Sequence, residues 1–219
     1  MAINRNTNAY TGTHNGKFNL HTNVKFLQLN MQHSKIATDN LTKRIAEHGT
    51  DILLLQEPYT IKNKIAGIFR RHKIFTHGAH RTKAAIVVTN NQIDTLLLTQ
   101  LSDSDTVVLE MTLNNAKIIA SPYFDINQQI ADDMLKIEAI LQNAKGAGII
   151  LAMDSKSRSN AWHDTKTNAR GRILEDFLTS NYLHTLNEDS DYTTFSGARG
   201  RSNIDLSIIN TQLRRTVQG

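Results

Sequence analysis

The chain has 219 residues, of which 39% are apolar and 21% charged, so it has an ordinary globular composition and enough length for a substantial core. Its net charge of +5 and pI near 9.5 are compatible with a polyanionic partner. The absence of cysteine excludes disulfides, thiolate zinc sites and a cysteine nucleophile. No apolar run approaches the roughly 18 to 20 residues that span a bilayer, and no signal-peptide pattern opens the chain. We therefore expect an intracellular protein with no membrane partner.

Two short apolar segments near the N-terminus predict a parallel pair of strands joined by a helix. Residues 24–29 form the first and end at Asn30, whereas residues 52–55 form the second and run into Glu57 and then Pro58. A proline stops ladder pairing at that point. Because strand–helix–strand units align their strands in parallel, we expect Asn30 and Glu57 side by side at the carboxyl edge of a sheet.

Three segments have the apolar spacing of amphipathic helices. The first covers residues 35–48, with Ser34 as its N-cap and Gly49 as its stop. The other two cover residues 127–143 and 171–180. The middle helix has the clearest apolar stripe, which consists of Ile126, Ile130, Met134, Ile137 and Leu141.

The remaining apolar runs predict further strands, because Asn-, Ser- and Asp-rich turns separate them. These strands are predicted over residues 84–89, 95–101, 106–113, 116–120, 149–153, 183–186 and 204–209. Trp162 lies in the polar segment after residues 149–153 and is interpreted as a packing residue.

Four polar residues lie at or just beyond the ends of predicted strands: Asn30, Glu57, Tyr123 and Asp154. Carboxylate and amide oxygens are suitable ligands for Mg²⁺ or Mn²⁺, a tyrosine hydroxyl can donate to a phosphate, and a second carboxylate can orient or deprotonate water. Asp205 lies inside an apolar strand, where an unpaired carboxylate is costly, so we expect it to have a partner.

These segments occur in an order that resembles a known family. The motifs are FLQLN, LLLQEPY, KAAIVV, ASPYF, ILAMDSKSRSNAW, ARGRILEDF, YTTF and SNIDLSI, between residues 24 and 210. Together they resemble the endonuclease domain of non-LTR retrotransposons, within the endonuclease/exonuclease/phosphatase superfamily that also contains apurinic-site endonucleases. The resemblance implies a monomeric α/β protein folded as a four-layer sandwich, with two packed mixed β-sheets flanked by helices.

The resemblance also implies a role for each of the site residues. Asn30 and Glu57 match the metal-site pair, and Tyr123 matches the tyrosine that contacts the scissile phosphate. Asp154 matches the aspartate that positions the attacking water, and Asp205 matches the aspartate that holds a catalytic histidine. The family nicks one strand of target double-stranded DNA in the nucleus, so that a reverse transcriptase domain of the same polyprotein can prime from the new 3′-hydroxyl.

The chain departs from the family pattern in two places. Lys156 stands where the family has an asparagine that contacts the phosphate. The family also closes with a strand and a Ser-Asp-His motif, which residues 23–219 lack, and His163 is interpreted as a solvated loop residue instead. Since losing a general acid or base typically costs on the order of 10² to 10⁴ in rate, we expect weak nicking at most. Residues 1–22, rich in Asn, Thr and Gly, predict a flexible leader.

Basic residues follow the Asp154 strand and precede the Asp205 strand, where they could contact DNA phosphates. The candidates are Lys156, Arg158, Arg170, Arg172, Arg199 and Arg201. The last two belong to a GARGR segment, near the position of a family hairpin that helps to choose the target, although a solvated loop is an equal interpretation.

Two other functions remain open from the sequence. One is a catalytically dead DNA-binding remnant of a retroelement, which Lys156 and the missing histidine motif favour. The other is a superfamily phosphatase for small phosphorylated substrates, although the Arg-bearing loops favour a polymer.

Overall fold

The computed structural model describes residues 24–68, 71–112, 116–197 and 200–214. The leader predicted over residues 1–22 lies outside these ranges. The helices are α1 (Lys35–His48), α2 (Ile130–Ala144) and α3 (Ala169–Ser180). The strands are, in chain order, β1 (Phe26–Asn30), β2 (Ile52–Gln56), β3 (Thr60–Ile61), β4 (Lys64–Ile65), β5 (Lys73–Phe75), β6 (Ala84–Val88), β7 (Asp94–Leu97), β8 (Thr106–Thr112), β9 (Ala116–Pro122), β10 (Gly148–Asp154), β11 (Leu183–Thr185), β12 (Phe195–Gly197), β13 (Gly200–Ser202) and β14 (Asp205–Asn210).

The strands form two larger sheets, both of mixed direction. The first sheet has the order β1-β2-β6-β5, and its β1–β2 pair is parallel, as the sequence predicts. The second has the order β11-β14-β10-β9-β8-β7, in which only β9 and β10 pair in parallel. The pairs β3–β4 and β12–β13 are small separate hairpins.

The two sheets pack face to face, and β2 explains how one apolar run serves two cores. Successive side chains on a strand point to opposite faces. Ile52 and Leu54 therefore join the core between the sheets, whereas Leu53 and Leu55 join the core under α1. A strand buried on both faces needs a continuous apolar sequence rather than an alternating one.

Helices cover the outer face of each sheet. Helix α1 lies on the first sheet through Leu41 and Ile45, and helices α2 and α3 cover the second sheet through residues such as Ile137 and Leu174. The predicted four-layer α/β sandwich is thus confirmed. Within the described ranges, no helix has the length and apolar character needed to cross a membrane.

Two predicted elements differ at their ends because the chain forms local turns there. Helix α2 begins at Ile130 rather than at residue 127, since Asp125 Oδ1 accepts a hydrogen bond from the Asn127 backbone N–H at 2.9 Å. Ile126 consequently lies outside the helix and is 57% exposed. The strand predicted over residues 95–101 ends at Leu97, because residues 99–101 form a short 3₁₀ turn.

Buried glutamines connect the two sheets directly below the carboxyl end of β1 and β2. Gln28 Nε2 donates to the Met153 carbonyl at 2.9 Å, and Gln28 Oε1 accepts from the Ser207 hydroxyl at 2.8 Å. Gln56 Nε2 donates to the Ala152 carbonyl at 2.8 Å. Because hydrogen bonds are directional, these contacts fix how one sheet is placed on the other.

Candidate active site

The four strand-end residues converge at one rim of the sandwich. In the first sheet, Asn30 is in register with Gln56, so Asn30 and Glu57 lie at neighbouring strand ends. In the second sheet, Tyr123 and Asp154 form a parallel bridge just beyond β9 and at the end of β10. The packing of the sheets brings the two pairs together, because Asn30 Nδ2 donates across the interface to Asp154 Oδ2 at 2.5 Å.

Asp154 is the most buried carboxylate of the site, with 0% of its side chain exposed. Its Oδ2 also accepts a hydrogen bond from Lys156 Nζ at 2.5 Å. Burial raises the pKa of Asp154, although the charge of Lys156 opposes this effect. A carboxylate with a raised pKa is a stronger proton acceptor, as a residue that activates water requires.

Glu57 and Tyr123 lie at the same rim, where the Tyr123 side chain hydrogen-bonds to Glu57 and its backbone lies beside Asp154. The Glu57 backbone has a φ of +46°, donates from its N–H to the Lys83 carbonyl at 2.7 Å and accepts from the His33 N–H at 2.7 Å. Burial raises the pKa of the Tyr123 hydroxyl, and the negative charges of Glu57 and Asp154 raise it further. Tyr123 therefore stays protonated and can donate a hydrogen bond to an anion.

Two lysines flank the Tyr123 ring. Lys83 Nζ lies 5.3 Å and Lys156 Nζ 5.1 Å from the ring centroid, which is within cation–π range. Lys83 also contacts Asp125 Oδ2 at 3.0 Å and Asp105 Oδ1 at 3.7 Å. Although burial alone would lower the pKa of Lys83, these two carboxylates raise it overall. Sequence reasoning missed Lys83, because a lysine at a strand start carries no signal beyond its place in the KAAIVV motif.

The donor set at the rim fits Mg²⁺ or Mn²⁺ through Glu57 and the side-chain oxygen of Asn30. Magnesium is commonly held by one or two carboxylates together with substrate phosphates rather than by a complete protein cage. The described residues contain no cluster of three or more His, Cys, Asp or Glu that could hold a metal by themselves. The carboxylates Glu57, Asp105, Asp125 and Asp154 outnumber the two lysines, so the rim retains negative charge that favours a cation.

Asp205 is only partly satisfied by its surroundings. It stands opposite Asp154 in the β10–β14 register, and its backbone N–H donates to the Thr194 hydroxyl at 3.1 Å. Its Oδ1 is buried and has no hydrogen-bond partner among the described residues. Burial raises the pKa of Asp205 to about 7, with a further contribution from the charge of Asp154. The partner expected from the sequence is Thr194, whose side chain hydrogen-bonds to the Asp205 carboxylate and partly opposes the effect of burial on its pKa.

Two of the predicted DNA-contacting arginines form internal ion pairs. Arg158 binds buried Asp164 through Nε at 2.8 Å and Nη2 at 2.6 Å. Arg170 binds buried Asp133 at 3.3 Å and donates to the Gln128 carbonyl at 2.8 Å. These contacts give both arginines a structural role, and the DNA contacts suggested by the sequence stay predictions.

The remaining residues considered in the sequence analysis differ in their exposure to solvent. Arg172 and Arg201 are exposed, the latter on hairpin strand β13, and Arg199 lies outside the described residues. Trp162 is 1% exposed and packs in the core under α2 and α3, so it cannot stack on a nucleobase. His163 is an exposed residue, and its carbonyl accepts a hydrogen bond from the Asn203 side chain at 2.7 Å.

Comparisons with known proteins agree with this arrangement. Residues 117–218 match the family model of the endonuclease/exonuclease/phosphatase type described as endonuclease-reverse transcriptase. The endonuclease domain of TRAS1, a telomere-specific non-LTR retrotransposon, superposes with a TM-score of 0.81 and 27% identity, covering 90% of both chains. The chain therefore resembles retrotransposon endonuclease domains in both sequence and fold.

Curated relatives of this retrotransposon endonuclease-like domain belong to type-1 retrotransposable elements. A putative 115 kDa protein of element R1DM from Drosophila melanogaster is 24% identical over 84% of this chain and 19% of its own length. A retrovirus-related Pol polyprotein of element R1 from Bradysia coprophila is 25% identical over 58% of this chain and 14% of its own length. The domain thus spans less than a fifth of each of these two relatives.

Proposed function

We propose that this retrotransposon endonuclease-like domain is a divalent-metal-dependent DNA endonuclease that nicks target DNA by hydrolysing a phosphodiester bond. The observation that carries the proposal is the convergence of Asn30, Glu57, Tyr123 and Asp154 at one rim of two packed sheets. The nick would supply the 3′-hydroxyl for target-primed reverse transcription in the nucleus. A reverse transcriptase domain in the same polyprotein is the expected partner, which the Pol polyprotein relative supports.

In this mechanism the protein orients an in-line attack of water on phosphorus. The Tyr123 hydroxyl, kept protonated by its surroundings, donates to a phosphate oxygen. Asp154 accepts the proton of the attacking water, and its raised pKa favours that transfer. The Asn30 amide holds the Asp154 carboxylate in place through the bond between the two sheets. Each group therefore acts from a position that the fold fixes before substrate binds.

Glu57, assisted by Asn30, would hold Mg²⁺ or Mn²⁺ at the same rim. When bound, such an ion neutralises the negative charge that develops on the phosphate oxygens. Arg172 and Arg201 are exposed, and we propose that they contact phosphates of double-stranded DNA.

We expect the activity of this chain to be low for two physical reasons. The Lys156 ammonium donates a hydrogen bond to Asp154 Oδ2. This bond must break before that oxygen can accept a proton from water. Asp205 Oδ1 is buried and accepts no hydrogen bond in the described residues, so none of their histidines is oriented there for proton transfer. Loss of one general acid or base typically costs on the order of 10² to 10⁴ in rate.

Conversion of supercoiled plasmid to the nicked circle tests the proposal. We expect slow, Mg²⁺-dependent nicking that Asp154→Ala and Glu57→Ala each abolish, whereas Asp176→Ala, a change at an exposed carboxylate of α3, has no effect. Fast nicking that requires Asp154 would refute the expected impairment but not the function. Phosphate release from inositol phosphates without any nicking would instead indicate a phosphatase.

A catalytically inactive DNA-binding remnant is the second candidate, and the Asp154–Lys156 contact favours it. Such a remnant would bind DNA with a strong salt dependence while calorimetry with Mg²⁺ or Mn²⁺ gives no binding heat. Metal binding that Glu57→Ala removes would exclude this alternative.

A further inference from the structure

Lys156 is held against Asp154 by the geometry of the chain between them. The two residues are separated by Ser155 alone, and Lys156 has a φ of +49° in the left-handed region. This conformation turns the chain back, so that Nζ reaches Asp154 Oδ2 at 2.5 Å while the Lys156 backbone N–H faces Oδ1 at 3.4 Å. The Lys156 ammonium is thus a cation that the backbone holds next to the Asp154 carboxylate, whose negative charge it neutralises.

The same contact limits how another cation can approach Asp154. Oδ2 accepts from both Asn30 Nδ2 and Lys156 Nζ, and the Asp154 side chain has no exposed surface. A divalent ion that used this carboxylate would have to displace the ammonium or lie next to its positive charge. Both alternatives cost free energy, because charge-assisted hydrogen bonds are strong and like charges repel in a partly buried site.

We propose that Lys156 acts as a tethered internal cation that competes with divalent metal for Asp154 and so weakens metal binding at the rim. The proposal rests on the proposed metal-dependent function and extends it by assigning a regulatory effect to one residue of this chain. The metal is then held mainly from the Glu57 side, and the Asp154 side is neutralised by the protein itself.

Lys83 does not share this effect, although it lies at a similar distance from Tyr123. Its ammonium forms ion pairs with Asp125 and Asp105 instead. Only Lys156, of these two lysines, contacts Asp154. The competition is therefore a local property of the Asp154–Lys156 pair rather than of the general positive charge of the chain.

The dissociation constant for Mn²⁺, measured by titration calorimetry on the full chain without DNA, tests the proposal. We expect Lys156→Asn to bind Mn²⁺ roughly tenfold more tightly than wild type, because the ion no longer displaces a charged hydrogen bond. Asparagine is tolerated in the left-handed region, so this variant keeps the backbone. Lys156→Arg keeps the positive charge and should stay close to wild type.

Two controls separate local competition from long-range electrostatics. Lys166→Asn removes the same charge from an exposed position of the same loop and should change the affinity less than twofold. In an Asp154→Asn background, Lys156→Asn should no longer tighten binding, because the carboxylate for which it competes is absent.

Each alternative result overturns the proposal in a recognisable way. Equal Mn²⁺ affinity of wild type and Lys156→Asn excludes competition while leaving the proposed function intact. Equal tightening by Lys166→Asn shows that net charge alone is responsible. The absence of Mn²⁺ binding in wild type and in every variant rejects both this inference and the metal dependence of the proposed function.

Discussion

In the described residues, Arg170 is the only residue that forms an ion pair with Asp133. Replacing Arg170 by methionine would remove this ion pair. Asp133 is 2% exposed, and its Oδ2 lies 3.3 Å from Arg170 Nη2. Methionine retains an aliphatic chain of similar length, so the change mainly removes the guanidinium and its second hydrogen bond, 2.8 Å long, to the Gln128 carbonyl.

The expected cost depends on pH because Asp133 can take up a proton. Burial raises the pKa of Asp133 to about 6, against an opposing effect of Arg170. An adjacent opposite charge lowers a carboxyl pKa by roughly 1 to 3 units, so the pKa of Asp133 should rise by that amount in Arg170→Met. Each unit is worth about 1.4 kcal/mol.

The sign follows from proton binding. A folded state whose carboxyl pKa is raised holds a proton that the unfolded chain has released, so its stability falls as the pH rises towards that pKa. In the folded variant the pKa of Asp133 is higher than in wild type. The stability of the variant therefore continues to fall with rising pH at values where the stability of wild type no longer changes. We expect Arg170→Met to cost about 1 kcal/mol at pH 5, mainly for the lost bond to Gln128, and about 3 kcal/mol at pH 8.

Urea unfolding followed by circular dichroism at pH 5 and pH 8 measures both values. Adding Asp133→Asn should remove most of the excess cost at pH 8, because no buried carboxylate remains. Arg172→Met is the matched control, since Arg172 is exposed on the same helix. The same loss of stability at both pH values, or an equal loss in Arg172→Met, would refute the reasoning.

Three further predictions concern single residues. Asp205→Asn should remove a loss of stability of up to about 4 kcal/mol that wild type undergoes between pH 4 and pH 8. The reason is that burial raises the pKa of Asp205 to about 7 in the folded protein, above the value of roughly 3.9 in an unfolded chain. A pH-independent difference in urea unfolding would contradict this. Gly171→Ala should destabilise the fold by about 3 kcal/mol or more, although alanine normally favours helices. The reason is that the new Cβ would lie 1.8 Å from the Arg158 carbonyl oxygen. Thermal unfolding measures this effect, and an unchanged midpoint would exclude the close contact. Arg201→Ala should weaken DNA binding and lower the salt slope by about 1, as measured by fluorescence anisotropy at several salt concentrations, and an unchanged slope would remove Arg201 from the DNA interface.

Local sequence patterns predicted most of the fold because the relevant interactions are short in range. Helix α1 has the predicted bounds, since the Ser34 hydroxyl accepts from the Ala37 N–H at 3.2 Å and Gly49 ends the helix with a φ of +59°. The start of α2 could not be predicted equally well. There, the Asp125 side chain competes with the helix for the Asn127 N–H, and apolar spacing does not reveal that competition.

The site was predictable to the extent that it depends on strand ends. Asn30, Glu57, Tyr123 and Asp154 follow apolar runs, and the parallel pairing of neighbouring strands brings such ends to one edge. The role of Lys83 depends on carboxylates 22 and 42 positions further along the chain, which no local pattern connects. The burial of Arg158 and Arg170 in ion pairs was hidden for the same reason.

The glutamine contacts between the sheets make the spacing of the reacting groups independent of the stability of the apolar core, although these two properties usually change together. Apolar surfaces can slide or repack when a core residue is replaced, but the bonds from Gln28 and Gln56 to backbone carbonyls of β10 require one relative position of the sheets. These bonds lie two residues or fewer from the strand ends that carry Asn30 and Asp154. Substitutions in the apolar interior can therefore alter the stability of the domain while the reacting groups keep their spacing. An evolving element could accumulate such changes without losing the alignment on which its chemistry depends.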